Sequence, residues 1–85
     1  MTPVTVYSKP ACVQCEATKR RLTKLDIPYT VVDITEDPAA LARVTSWGYQ
    51  QAPVVHVKTP TGEHHFSGYR PDLLNGLVAQ KDKTA

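Results

Sequence analysis

Residues 4 to 34 change hydrophobic period twice, and that change restricts the fold more than any other feature of the chain. Val4-Thr5-Val6-Tyr7 is short, β-branched and aromatic, which suits a strand, and Ser8-Lys9-Pro10-Ala11 breaks it. From Val13 to Leu25 there is no Gly or Pro. Cys15, Thr18, Leu22 and Leu25 recur there at spacings of three, four and three, one face of a helix. Pro28 closes that element, and Tyr29-Thr30-Val31-Val32-Asp33-Ile34 reads as a second strand. Strand, helix and strand within about thirty residues form a βαβ unit, with parallel strands and a right-handed crossover.

The remaining chain adds a helix, a hairpin and a helix. Asp37 is placed to cap the free N–H groups of Ala39 or Ala40, and Pro38 at the first helical position loses no needed donor. Ala40, Leu41, Val44 and Trp47 make the apolar side of this helix, and Gly48 suits a left-handed cap beyond it. Val54 to Lys58 and Glu63 to Phe66 read as an antiparallel hairpin around a type I turn at Thr59-Pro60-Thr61-Gly62. A last helix follows, with Leu73, Leu74, Leu77 and Val78 on one side and Gly76 as a weak point. The order βαβαββα predicts an α/β fold: a four-stranded mixed sheet flanked by helices on both faces.

An 85-residue chain buries only about 60–65% of its unfolded surface, enough for one modest core. Residues 1–80 are expected to form one domain, with Lys81 to Ala85 a frayed tail. Hydrophobic residues at 41% and charged residues at 21% point away from both disorder and a membrane protein. No run approaches the roughly 18 apolar residues of a membrane span, and Met1-Thr2-Pro3 leads straight into the first strand without a secretory pattern. The expected compartment is the cytoplasm. A formal charge of +2 gives no electrostatic reason to expect a nucleic-acid partner. Lys19, Arg20, Arg21 and Lys24 cluster after the cysteines; a solvated helix face is the simpler reading, steering of an acidic protein partner the sharper one.

Cys12 and Cys15 are the chain's only cysteines. A cytosolic setting keeps thiols reduced, so catalytic or metal-binding use fits better than a structural disulfide, and burial as two small side chains is the bland alternative. If the helix starts at or just after Cys12, its sulfur lies beside unpaired N–H groups and the positive end of the helix dipole, which favour thiolate. Lys9 adds positive potential and Pro10 holds the approach rigid. Cys15 shares the Leu22 and Leu25 face and points towards the core. One sulfur presented and one shielded suits thiol–disulfide exchange, with Cys12 as nucleophile and Cys15 as resolving thiol. A metal site would need further ligands from His56, His64 and His65, none of which has zinc spacing, and strand alternation sends His64 and His65 to opposite faces. No metal and no bound cofactor are expected.

Lys9-Pro10-Ala11-Cys12-Val13-Gln14-Cys15, Ala52-Pro53 before a Val-rich strand, and Ser67-Gly68-Tyr69-Arg70-Pro71-Asp72 together resemble the NrdH-redoxins, over about residues 3 to 80. These are bacterial, glutaredoxin-sized members of the thioredoxin superfamily. The resemblance implies a thioredoxin fold, a reversible Cys12–Cys15 disulfide, and the role of hydrogen donor to the large subunit of class Ib ribonucleotide reductase. It implies recharging by the flavoprotein thioredoxin reductase with electrons from NADPH, rather than by glutathione; a monomer is expected. Carried over by position, Pro53 matches the superfamily's cis-proline beside the disulfide, where backbone can pair with a bound peptide. Lys9, Pro10, Ala52, Pro53, Ser67, Gly68, Tyr69, Arg70 and Asp72 then shape the docking surface. Ser67, Arg70 and Asp72 match the loop in which the family forms hydrogen bonds between neighbouring segments near the site; the competing reading is a simple helix start, with Pro71 first and Asp72 in the opening turn.

The chain departs from the family in having Phe66 where Trp is usual, which removes an indole N–H donor. Glutaredoxins that hold glutathione usually carry a Gly-Gly-x-Asp-like stretch where this chain has Ser67-Gly68-Tyr69-Arg70, and bulky Tyr69 and Arg70 argue against that site. A glutaredoxin using glutathione or another small thiol is nonetheless the nearest alternative, and a metal- or iron–sulfur-binding module the alternative from another class. Trp47 reads as core and Tyr49 as a candidate partner contact. Val13 and Gln14 carry the likeness more than the chemistry.

Overall fold

The alternation Val4, Val6 against Thr5, Tyr7 places apolar side chains on both faces of the first strand, which must therefore lie inside a sheet covered on both sides. A computed structural model of the protein has this arrangement. It describes residues 4–59 and 62–84, the last of these from 78 by backbone alone. The elements are β1 (Val4–Ser8), α1 (Val13–Lys24), β2 (Thr30–Asp33), α2 (Pro38–Ser46), β3 (Val54–Thr59), β4 (Gly62–Ser67) and α3 (Pro71–Thr84). The sheet order is β2-β1-β3-β4. β1 pairs parallel with β2, Val6 opposite Val31, and antiparallel with β3, Val6 opposite Val55. β3 and β4 form the hairpin, His56 opposite His65 and Val57 opposite His64. The expected turn residues Pro60 and Thr61 lie outside the described residues.

Two cores follow from the pleat. Val4, Val6, Val55 and Val57 meet Leu22 of α1 and Leu74 and Leu77 of α3 on one face. Tyr7 and Val54 meet Ala40 and Val44 of α2 on the other. The helical stripe read from the sequence is the buried one: Cys15, Thr18 and Leu22 are each fully buried. Burial of a side chain like Leu22 contributes about 1.5–3 kcal/mol. Two leucines differ from expectation. Leu41 is 47% exposed because Ala40 and Val44 centre the narrow buried stripe of α2, leaving Leu41 on its flank. Leu73 is 38% exposed because α3 buries Leu74 and Leu77 instead.

Local chemistry sets the helix ends. Asp37 accepts the Ala40 N–H at 3.1 Å at the start of α2, with Pro38 first in the helix. α2 ends with the Gly48 N–H on the Thr45 carbonyl and the Tyr49 N–H on the Val44 carbonyl, Gly48 standing at φ 92°. α1 ends the same way through Asp26 and Ile27. Helical backbone of α3 extends to Thr84, across the segment expected as a tail.

Candidate redox site

The corner between β1 and α1 is made by Lys9, Pro10 and Ala11. Ala11 takes the left-handed conformation, φ 56°, and returns the chain so that Cys12 becomes the N-cap of α1. In that place the Cys12 sulfur accepts the backbone N–H of Cys15 at 3.1 Å, as a capping oxygen would. The Cys12 carbonyl accepts the Glu16 N–H at 3.1 Å, the first helical bond. Cys12 and Cys15 are joined as a disulfide, their Cα atoms 5.2 Å apart. Cys12 keeps 9% of its surface exposed and Cys15 none. The asymmetry expected of the pair is present, although the exposed part of Cys12 is a small opening. That opening faces a groove whose walls include Lys9, Pro10, Val13, Lys19 and Asp33.

The cis-proline turn and the loop after β4, distant in sequence, meet one another. The Ala52–Pro53 peptide is cis, Ala52 is half-buried and Pro53 is fully buried. Ser67 lies opposite Val54 at the end of β4, which brings the following loop beside Pro53. The Gly68 N–H donates to the Pro53 carbonyl at 2.8 Å, with Gly68 at φ 83°. The next N–H, that of Tyr69, donates to the side-chain oxygen of Gln14 at 3.2 Å. Arg70 makes two hydrogen bonds to the Asp72 carboxylate, at 3.3 and 3.1 Å. These bonds hold the Asp72 carboxyl below its usual range and push the Arg70 guanidinium up. Both groups are exposed, and Pro71 and Asp72 open α3 as a helix start requires.

The glutaredoxin family model matches residues 4–60 of the chain. The glutaredoxin-like protein NrdH of Escherichia coli K12 is 34% identical over 74 residues, 87% of this chain and 86% of that protein. NrdH of Lactococcus lactis subsp. cremoris is 37% identical over 75 residues, 88% of this chain and 99% of its own length. The solved structure of the NrdH-redoxin from Escherichia coli superposes with a TM-score of 0.79 at 34% identity, covering 87% of this chain and 92% of that one. The chain belongs to the NrdH-redoxins. It is a glutaredoxin-like thiol–disulfide oxidoreductase of the thioredoxin fold, and its redox pair is Cys12 and Cys15.

Away from the disulfide, the α2 side of this redoxin carries a stack of rings. Trp47 lies nearly parallel to His65 at a centroid distance of 4.5 Å and to His56 at 5.2 Å, with Tyr7 edge-on at 6.0 Å. The Tyr49 hydroxyl, read from sequence as a partner contact, bonds the His65 ring at Nδ1 (2.7 Å) and the His65 carbonyl (3.1 Å). His64 is exposed on the opposite face, as strand alternation requires. Among the described residues no group of three or more His, Cys, Asp or Glu is placed to hold a metal ion. No helix among them is long and apolar enough to cross a membrane.

Gln14 is the site residue that sequence reasoning missed. Its partner Tyr69 stands 55 positions away, and no spacing pattern links the two. The one available signal was a long amide side chain at an exposed position in the first turn of the redox helix.

Proposed function

We propose that this redoxin carries two electrons to the large subunit of class Ib ribonucleotide reductase, for deoxyribonucleotide synthesis, and is re-reduced by thioredoxin reductase at the expense of NADPH. It acts as a monomer in the bacterial cytoplasm, with no resident cofactor. The observation that carries the reading is the inequality of the two sulfurs: Cys12 caps the helix at the mouth of a groove, and Cys15 is sealed behind it.

In the reduced protein the Cys15 N–H and the start of α1 favour negative charge on the Cys12 sulfur. The Cys12 thiolate attacks one sulfur of the substrate disulfide. A mixed disulfide forms, and the other substrate sulfur leaves as thiolate and takes a proton. Cys15, deprotonated, then attacks the Cys12 sulfur, closing the Cys12–Cys15 disulfide and expelling the second substrate thiol. The substrate disulfide has gained two electrons and two protons, and the redoxin dithiol has lost them. Pro53 and the loop from Ser67 to Asp72 offer the backbone against which a substrate segment docks, with Lys9, Pro10 and Ala52 at its margin.

The test is coupled NADPH oxidation with a disulfide substrate. Purified thioredoxin reductase is expected to sustain turnover; turnover with glutathione and glutathione reductase alone would instead assign the chain to the glutathione-dependent glutaredoxins. Reduction of a purified class Ib reductase, measured as deoxyribonucleotide formed per redoxin oxidised, tests the client.

A further inference from the structure

Hydrogen bonds link three segments: the first turn of α1, which follows Cys12 and carries Cys15, the cis-proline turn, and the loop between β4 and α3. The loop is tied to the cis-proline turn by the Gly68 N–H on the Pro53 carbonyl, main chain to main chain. Among the described residues its tie to α1 is the Gln14 side chain, whose amide oxygen takes the Tyr69 N–H.

Gln14 is well held for this work. Its own carbonyl accepts the Thr18 hydroxyl at 2.8 Å, and Thr18 is fully buried, so the backbone from which the amide reaches is pinned to the core. The approach is close: a side chain at Gly68 would stand 3.5 Å from the Gln14 oxygen. Val13, the other residue between the cysteines, is 82% exposed and makes no comparable bridge. A glutamine here has the reach and the acceptor; an aliphatic residue has neither donor nor acceptor to offer.

We propose that Gln14 is a positioning residue for polypeptide substrates: by holding the Tyr69 N–H, it fixes the Ser67–Arg70 loop against the helix that carries both sulfurs. The inference rests on the reading of Pro53 and this loop as the docking wall. A segment of protein backbone has to fit between the loop and Cys12, so the position of the loop matters to it. A small disulfide needs only the sulfur. Loss of the tie therefore separates the two classes of substrate.

The experiment uses the pre-reduced full chain in single turnover, with insulin as the polypeptide disulfide and bis(2-hydroxyethyl) disulfide as the small one. Gln14→Met keeps length and bulk without the acceptor; Gln14→Glu keeps an acceptor oxygen at the same reach. In Gln14→Met the half-saturating insulin concentration is expected to rise roughly two- to tenfold, the range of one hydrogen bond. The preference for insulin over the small disulfide falls by the same factor, and Gln14→Glu restores it. The added charge of Gln14→Glu changes the ionisation of Cys12 whichever substrate is present, so the ratio of the two rates, taken at high salt to screen the charge against insulin, is the readout. Amide exchange at Tyr69 should quicken in Gln14→Met and return towards wild type in Gln14→Glu. Equal slowing of both substrates, unaltered Tyr69 exchange, or no recovery in Gln14→Glu would overturn the proposal. A wild-type chain with no preference for insulin would remove the docking reading and the proposal with it; a preference that survives Gln14→Met removes the proposal alone.

Discussion

The backbone N–H of Cys15 points at the sulfur of Cys12 from 3.1 Å, while the sulfur of Cys15 is closed off from solvent. One residue thus serves the other twice, through its main chain and through its thiol. Cys15→Ser should trap mixed disulfides through Cys12, and Cys12→Ser should trap almost none. Non-reducing electrophoresis with a disulfide client separates these outcomes; equal trapping by both variants would reverse or abolish the assignment of roles.

His56 gives stability a pH dependence. The residue is 9% exposed, stacked against Trp47, with its Nε2 3.5 Å from the Glu63 carboxylate. Burial is the larger effect and lowers its pKa below 6.5; the nearby His65 and Arg43 charges act the same way, and Glu63 opposes them. The folded state therefore keeps His56 neutral where the unfolded chain already binds a proton. The resulting stability is present above about pH 6.5 and is lost as pH falls through the folded value. Denaturant melts between pH 7.5 and 5.5 should show this slope, and His56→Phe should flatten it.

Asp37 caps α2 through the Ala40 N–H. Asp37→Ala is expected to cost about 1 kcal/mol, or about 4–8 °C in Tm for a domain of this size. Asp37→Asn should recover most of the loss. Thermal melts of the three proteins check it, and an Asp37→Ala variant as stable as wild type would deny the cap any weight.

At Gly48 a side chain would meet nothing within 4 Å, yet φ is 92°. The cost of Gly48→Ala is therefore conformational alone, about 1–2 kcal/mol in urea unfolding. Disulfide exchange at the distant Cys12 should be retained.

Much of the fold was legible because its signals are local. The Cys15, Thr18, Leu22 stripe, the Asp37-Pro38 helix start and the Gly48 cap are each decided within one or two turns of chain, where spacing and side-chain chemistry act directly. Leu41 and Leu73 were misplaced for the opposite reason: periodicity marks the centre of a buried stripe, whereas its width depends on what packs there. The cysteine pair was readable from its spacing and its place after a strand. The cis form of Ala52–Pro53 came through family likeness, since the residues alone allow either isomer. The Gln14–Tyr69 and Tyr49–His65 contacts were invisible, because each joins segments whose meeting is decided by the sheet order rather than by anything nearby in sequence.

The ring stack has a practical corollary. Trp47 is the chain's single tryptophan, and it lies face to face with two imidazoles. Imidazolium quenches indole emission far more than neutral imidazole does. The molecule therefore contains its own optical gauge of charge on the α2 face, readable without a label, in a protein whose sulfur chemistry is otherwise colourless.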